Sequence, residues 1–361
     1  MILSRHSEAR AQLASPESIT TSVRGYGFRA RRFAPSRNDV VAWFIAQSLL
    51  AFSSVLMPAR GADYPTRIVT IVAPSAPGGL YSLFARIIGN RLEQRLGQTF
   101  VVENRPGAAS VVGAVVVARA APDGYTLMIA SGATMAVNVT LHKTLPYDPV
   151  ADFVPVALIA RIPEVLVVNA ALPVGSLADL VAYAKGRALT FASAGPGTAQ
   201  HLESEMLRQA LGLDLLHVPY KGALPALNDV VGGHVDMMFT PIPNALSLIE
   251  ARKVRAIGLG TRMPVEALPE VPALADVGVP GFEAAGWFML VAPAATPQPI
   301  VARLHAELRA ILAEPAMRQD FIRQGLIPVA TPSPEELKAF VRDEIAYWRA
   351  TLNRIGLAGI E

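Results

Sequence analysis

The residues of this sequence whose types and spacing best suit ligand binding are glycine-rich loops, each set between an apolar strand and a helix. Three such loops occur, at Pro77-Gly78-Gly79, Ser131-Gly132-Ala133-Thr134 and Ser193-Ala194-Gly195-Pro196-Gly197-Thr198. The first amides of a helix have no acceptor within the helix and lie at the positive end of its dipole, and glycine lets a ligand approach the backbone closely. Each loop is therefore a candidate anion site, with a simple tight turn as the alternative.

A carboxylate suits these loops better than a nucleotide phosphate does. The first loop matches neither G-x-x-x-x-G-K-[ST] nor G-x-G-x-x-G, and "GPGT" at 195–198 lacks the third glycine. No lysine or arginine lies within the first or third loop to balance a doubly charged group. Four charge-assisted hydrogen bonds at about 1.5–3 kcal/mol each would exceed an ordering cost of about 4 kcal/mol. A carboxylate could therefore bind at these loops without a bound metal ion, cofactor or side-chain cation.

Enzymatic chemistry finds little support in the residue inventory. The chain has no cysteine, which excludes cysteine nucleophiles and thiolate zinc sites. Its six histidines include no pair at i, i+4 spacing, and the G-x-S-x-G motif is absent. We therefore predict no catalytic residue and no metal ligand, so the protein is not expected to be an enzyme.

Single polar residues beside the loops are further candidates for ligand contact. His201 lies in the first turn of the helix after "GPGT" and could point into a cleft, Lys221 could pair with an anion, and Asp236 could orient a ligand. Each has an ordinary alternative, as a capping or packed histidine, a surface lysine and a solvated strand-end acid respectively.

The amino-terminal part of the chain has the features of a secretory leader. Residues 40–57 carry no charge, follow several arginines and precede "PARGADYP", which predicts a signal peptide over 40–62 cleaved after Gly61 or Ala62. A membrane anchor or a buried helix is the alternative. Residues 1–39 lack any pattern and are predicted to be a disordered or wrongly assigned extension. We therefore expect a secreted protein.

The charge of the chain is concentrated in this leader. Residues 1–62 hold eight arginines and three acids, so the net charge of +3 leaves −2 for residues 63–361. The folded part therefore offers no basic surface that would indicate nucleic-acid binding.

The elements that position the loops alternate between strand and helix, which predicts an α/β fold with mainly parallel sheets. The spacing of apolar residues predicts a helix over 80–96 that ends at Gly97, and two late helices over about 298–313 and 334–355. The strand, glycine loop and helix recur in the second half around the third loop. The loops should therefore lie at the carboxyl ends of strands in two halves of the chain.

Several longer motifs carry a resemblance to a known family. They are "YPTRIVTIVAPSAPGG", "RLGQTFVVENRPGA", "AAPDGYTLMIASG", "LTFASAGPGTAQHL" and "HVPYKGALPALNDVVGGHVDMMF", in order over nearly all of residues 63–361. They resemble the Bug family, the extracytoplasmic solute receptors of tripartite tricarboxylate transporters.

The resemblance implies a periplasmic-binding-protein fold of type II, in which two α/β lobes close on a ligand like a Venus flytrap. The first lobe would comprise residues 63–163 and 287–361, and the second residues 164–286. The protein would capture a small organic carboxylate by lobe closure and deliver it, as a monomer, to the membrane subunits of the transporter. A sensory module for a membrane kinase, an orphan receptor and an enzyme of unrecognised type are the alternatives.

The ligand residues implied by the family pattern are those of the three loops. With the single candidates above, the set is Ser75, Ala76, Pro77, Gly78, Gly79, Tyr81, Ser131, Gly132, Thr134, Ser193, Ala194, Gly195, Gly197, Thr198, His201, Lys221 and Asp236.

The first loop departs from the family pattern P-F-A-P-G-G-G-x-D. Ser75 replaces the aromatic residue, Leu80 the third glycine and Ser82 the acid. Loss of the acid removes a partner for a ligand ammonium group, while Leu80 and Tyr81 add bulk and a hydroxyl. The departures therefore favour plain, aromatic or branched carboxylates over amino acids as ligands.

Overall fold

The computed structural model of the protein describes residues 64–360. The predicted extension, signal peptide and cleavage site lie outside the described residues. Within 64–360, none of the helices is both long enough and apolar enough to cross a membrane.

The strands of the described residues form two separate sheets. In chain order they are β1 (Val69–Ala73), β2 (Phe100–Asn104), β3 (Thr126–Ser131), β4 (Phe153–Ile162), β5 (Glu164–Asn169), β6 (Leu189–Ser193), β7 (Leu215–Pro219), β8 (Met237–Pro241), β9 (Val254–Leu259), β10 (Gly286–Pro293) and β11 (Ile327–Pro328). The first sheet has the order β11-β4-β10-β3-β1-β2, and the second has the order β7-β6-β8-β5-β9.

The helices pack on the faces of these sheets. In chain order they are α1 (Leu80–Leu96), α2 (Val111–Ala118), α3 (Asn138–Leu141), α4 (Leu177–Tyr183), α5 (Ala199–Leu211), α6 (Ala223–Gly232), α7 (Ile242–Glu250), α8 (Gln298–Ala313), α9 (Pro315–Arg323) and α10 (Pro334–Ile355). The predicted helices α1, α8 and α10 are confirmed, whereas α7 and α9 were not predicted.

The α/β character is confirmed, but both sheets are mixed rather than mainly parallel. β1 runs parallel to β2 and β3, and β6 runs parallel to β7 and β8. β10 and β5 run antiparallel to both of their neighbours. These two strands begin where the chain passes between the sheets. Only Pro163 separates β4, in the first sheet, from β5, in the second, so the chain passes between the sheets there without an intervening helix.

The helix that follows the first loop shows how the sequence fixes these elements. Gly79 precedes α1 in an extended conformation, and Gly97 ends it with a left-handed φ of 69° while its amide donates to the Glu93 carbonyl. Phe84, Ile88 and Leu92 recur at helical spacing and are fully buried. The amphipathic stripe therefore fixes α1 against the first sheet.

The carboxy-terminal helix α10 packs on both lobes. Leu337 and Val341, near its start, belong to the hydrophobic cluster around Trp287 in the first lobe. Leu352 and Ile355, near its end, belong to the cluster of the second sheet. Helix α10 therefore contacts both hydrophobic clusters, and the lobe boundaries given above stay a prediction.

Candidate functional site

The three glycine loops lie at the carboxyl ends of strands, at the edges where open α/β sheets bind ligands. The first loop follows β1, the second follows β3, and the third follows β6. Because β1 and β3 are parallel neighbours, the structure brings the first two loops together. The third loop occupies the corresponding edge of the second sheet.

The first loop presents its backbone to solvent. Residues 76–79 are exposed, and Gly78 has a φ of +91°, which favours glycine. A Cβ atom built on Gly78 would meet no atom within 4 Å. Among residues 64–360, no protein acceptor takes the amide hydrogens of Gly78, Gly79 or Leu80. This helix start therefore keeps open donors for an anion.

Asn104 supports the first loop from the neighbouring strand. Its Nδ2 atom donates to the Ser75 carbonyl over 2.9 Å and to Ser82 Oγ over 2.5 Å. Ser82 is fully buried, so the residue that replaces the family acid holds the loop and does not face a ligand. Sequence reasoning missed Asn104, although its place at the carboxyl end of a strand in "VVENRPG" was a usable signal.

Tyr81 joins the first loop to the second. Its hydroxyl lies 2.5 Å from Ser131 Oγ, and either oxygen can donate. Ser131 Oγ also accepts from the Thr134 amide over a long 3.4 Å. Gly132 lies close to Trp287, so a Cβ atom added to Gly132 would be only 3.2 Å from Trp287 Nε1. The second loop is thus partly occupied by protein groups, and Thr134 is fully buried.

A strained turn, which the sequence analysis did not identify, lies under the second loop. Ala108, Ala109 and Ser110 have φ values of 43°, 47° and 80°, a left-handed conformation uncommon outside glycine. Ser110 Oγ lies 2.8 Å from Thr134 Oγ1. Such strain persists where surrounding contacts fix it, often beside functional sites.

Most of the polar groups of the third loop form hydrogen bonds with each other or with adjacent residues. The Gly195 amide donates to Ser193 Oγ over 3.1 Å, and the Gly197 amide donates to His201 Nδ1 over 3.1 Å. Thr198 Oγ1 donates to the Gly195 carbonyl over 2.7 Å. Ser193 Oγ also shares a 2.6 Å hydrogen bond with His217 Nε2. The two glycine amides therefore already have acceptors, in contrast to those of the first loop.

His201 and His217 form a stacked pair beneath this loop. Their ring centroids are 4.2 Å apart, and Phe191 stacks on His217 at 4.8 Å. Burial, together with the neighbouring His217, lowers the pKa of His201 to about 4, and burial lowers the pKa of His217. Since His201 Nδ1 accepts the Gly197 amide, the proton of the neutral ring is on Nε2. The pair therefore supplies no positive charge at neutral pH.

Lys221 and Asp236 occupy opposite ends of the second sheet. Lys221 is exposed just after β7, at the edge that carries the third loop. Asp236 precedes β8, and its Oδ2 accepts the Thr190 amide over 2.7 Å and Thr190 Oγ1 over 2.8 Å. The structure therefore does not bring Asp236 to the loops. Its carboxylate joins two strands at their amino ends, which gives the predicted ligand role no support.

Comparison with known proteins establishes the family. A sequence profile described as "Tripartite tricarboxylate transporter family receptor" (TctC) matches residues 84–357. The chain belongs to the TctC family. Protein BugT of Bordetella pertussis (strain Tohama I) is 34% identical over 310 residues, which cover 85% of this chain and 95% of BugT. A UPF0065 protein from the tcbD-tcbE intergenic region of Pseudomonas sp. (strain P51) is 38% identical over 79% of this chain and 85% of its own length.

Solved structures of TctC relatives share the fold. A protein of R. palustris solved with adipate has a TM-score of 0.77 and 36% identity, covering 82% of this chain and 99% of its own. MatC from Rhodopseudomonas palustris, with bound malate, has a TM-score of 0.72 and 34% identity, covering 80% and 100%. BugD, a periplasmic binding protein, has a TM-score of 0.75 and 34% identity, covering 82% and 99%. The predicted Bug-type, two-lobed fold is confirmed, and the family is one of receptors rather than enzymes.

This TctC receptor also carries two buried acids that the sequence analysis did not pair. Glu164 and Glu203 are only 3% and 2% exposed, and among residues 64–360 the Oε2 atom of each has no hydrogen-bond partner. The pairing of Glu164 with Pro241 places it at the edge of the second sheet that carries the third loop. Burial raises the pKa of both carboxyls, and Glu164 raises that of Glu203 further.

Proposed function

We propose that this protein is a periplasmic solute receptor that captures a small organic carboxylate between its lobes for a tripartite tricarboxylate transporter. The observation that carries the proposal is that relatives with the same fold, at 34–36% identity, were solved with adipate and malate. The family profile itself describes transporter receptors. A single polypeptide would perform this capture as a monomer.

The first loop is the proposed primary carboxylate site. Gly78 and Gly79 lie at the start of the 17-residue helix α1, where open amides and the helix dipole favour an anion. Because several charge-assisted hydrogen bonds are needed for micromolar affinity, the amides of this loop would provide most of the binding free energy from the first lobe.

The second lobe would contribute through the start of α5. Gly195 and Gly197 are engaged within the third loop, but among the described residues no protein acceptor takes the amides of Ala199 or Gln200. The internal bonds of the loop hold it in a fixed shape, so it needs little ordering when a ligand arrives. A ligand that contacts both lobes would favour the closed state, since only that state offers both sets of donors.

A binding screen of the purified protein tests this function. Thermal shift and calorimetry would be measured with succinate, glutarate, adipate, malate, citrate, benzoate, leucine and glucose. We expect at least one carboxylate to bind with micromolar affinity and to stabilise the fold by about 2.7 kcal/mol at a hundredfold excess over its Kd. Glucose is the control that lacks a carboxylate, and leucine is the carboxylate that adds an ammonium group. Binding of glucose, with none of the acids bound, would refute the proposal.

Closure and partnership need separate measurements. Small-angle scattering should show a smaller radius of gyration with the bound acid than without it. Uptake of that acid by cells should require both this chain and the membrane subunits of the transporter. An unchanged radius would refute lobe closure, and uptake that persists without the chain would refute the partnership.

A further inference from the structure

The side chain of Tyr81 crosses the edge of the first sheet between two candidate ligand loops. It starts in the first turn of α1, two residues after Gly79, and its hydroxyl reaches Ser131 Oγ at 2.5 Å. Its ring packs edge-on against Phe288 with centroids 4.7 Å apart. Phe288 is the registered partner of Ser131 in the β3–β10 pair. The ring therefore lies over one defined point at the carboxyl end of β3.

A chain of hydroxyl groups holds the Tyr81 side chain in this position. Ser131 Oγ lies 3.4 Å from Thr134 Oγ1, which in turn lies 2.8 Å from Ser110 Oγ. Ser131 is 8% exposed, Thr134 is fully buried, and Ser110 belongs to the left-handed turn described above. If the ring swung away, the almost buried Ser131 hydroxyl would lose its shortest hydrogen bond. The Tyr81 ring is thus a fixed wall, unlike an exposed side chain that a ligand could displace.

The first loop, which lies next to the Tyr81 ring, is open to solvent. Residues 76–79 are exposed, and a side chain added at Gly78 would contact nothing within 4 Å. An acid whose carboxylate bound the amides of Gly78 and Gly79 would have room over the glycines, and the Tyr81 ring would limit it on the side of Ser131. Additional methylene groups extending in that direction would overlap the ring.

We propose that Tyr81 limits ligand length, so that the site accepts a short dicarboxylate such as succinate and excludes longer ones such as adipate. This inference rests on the proposed carboxylate-binding function. It makes Tyr81 a specificity-determining residue, because the bulk of its ring, held by Ser131 and Phe288, sets the size of the site.

The test compares succinate, glutarate and adipate by calorimetry on the wild-type protein and on Tyr81→Ala, Tyr81→Leu and Tyr81→Phe. Removal of the ring should raise the affinity for adipate relative to succinate by about tenfold or more, since each of two extra buried methylenes contributes to affinity. Tyr81→Leu provides a second shortened side chain should Tyr81→Ala fail to fold. Tyr81→Phe loses the hydrogen bond to Ser131 but keeps the ring and its packing on Phe288, so it should keep the wild-type order of the three acids.

A matched control removes a comparable ring elsewhere. Tyr183 is half-buried at the end of α4 in the second lobe, where the Arg187 guanidinium lies 4.1 Å from its ring centroid. Tyr183→Ala should leave the ratio of adipate to succinate affinity as in the wild type.

The possible results distinguish failure of the size limit set by Tyr81 from failure of the proposed receptor function. An unchanged ratio in folded Tyr81→Ala or Tyr81→Leu, or a wild-type protein that already prefers adipate, would overturn the size limit while the receptor function stands. Loss of all three acids from a folded, shortened variant would also overturn it, because the ring would then be a required contact. Failure of the wild-type protein to bind any carboxylate would overturn the proposed function itself.

Discussion

Replacing Glu203 with glutamine should make the stability of this protein less sensitive to alkaline pH. Glu203 is 2% exposed and lies near the equally buried Glu164, so the glutamine amide keeps the size of the side chain but removes its proton equilibrium. Burial, reinforced by Glu164, raises the folded-state pKa of Glu203 above its value in the unfolded chain. As the pH rises, the unfolded chain therefore releases this proton first.

The sign and size of the effect follow from that difference. The stabilising contribution of the protonated carboxyl is complete below the unfolded pKa of about 4.3. It then falls by at most about 1.4 kcal/mol per pH unit until the pH passes the raised folded-state value. Between pH 5.5 and pH 7.5 the wild type would therefore lose up to about 2.7 kcal/mol that Glu203→Gln retains. For a chain of this size that corresponds to a relative gain in Tm of up to about 5–10 °C.

The assay is thermal denaturation of the wild type and Glu203→Gln at several pH values from 5.5 to 8. Glu270→Gln is the control, because Glu270 is exposed and should follow the wild-type curve. Parallel curves of Tm against pH for the wild type and Glu203→Gln would refute the reasoning. So would a variant whose advantage is larger at pH 5.5 than at pH 7.5.

Two further substitutions separate binding from stability. Gly79→Val should fold, because the φ of Gly79 is −80° and the added Cβ would lie 3.6 Å from Ser75 Oγ, but its branched side chain should cover the open amides and lower carboxylate affinity at least about tenfold. Unchanged affinity by calorimetry would contradict the first-loop site. Asp236→Ala should destabilise the fold by about 2 kcal/mol in urea, since Thr190 loses its acceptor. Its carboxylate affinity should stay at the wild-type value, and a tenfold loss would show that Asp236 acts at the site after all.

The sequence predicted the elements whose signals are local. Gly79 and Gly97 bound α1 as predicted, because a glycine next to an amphipathic stripe acts through its own backbone. The placement of all three loops at strand ends followed for the same reason. For Asp236 a rule was available that speaks against a ligand role, since ligands in open α/β sheets bind beyond the carboxyl ends of strands and this acid precedes its strand.

Contacts between residues that are far apart in the chain could not be predicted from the sequence. His217 reaches Ser193 across 24 residues only because β6 and β7 pair in parallel. The contact fixes the Ser193 hydroxyl that accepts the Gly195 amide, whereas the Gly197 amide donates to the nearby His201. The approach of Glu164 to Glu203 likewise depends on how α5 packs on the second sheet. Such contacts are set by tertiary packing and leave no periodic trace in the sequence.

The carboxy-terminal helix constrains how the protein can move. After Pro334 at its first position, α10 contains neither proline nor glycine, so it has no residue at which helices commonly kink. Its first turns are embedded in one hydrophobic cluster and its last turns in another. In the closure proposed above, both lobes would have to move while packed against this one stiff helix. We expect their relative motion to be a twist about the helix, with the gap widening on the side away from it.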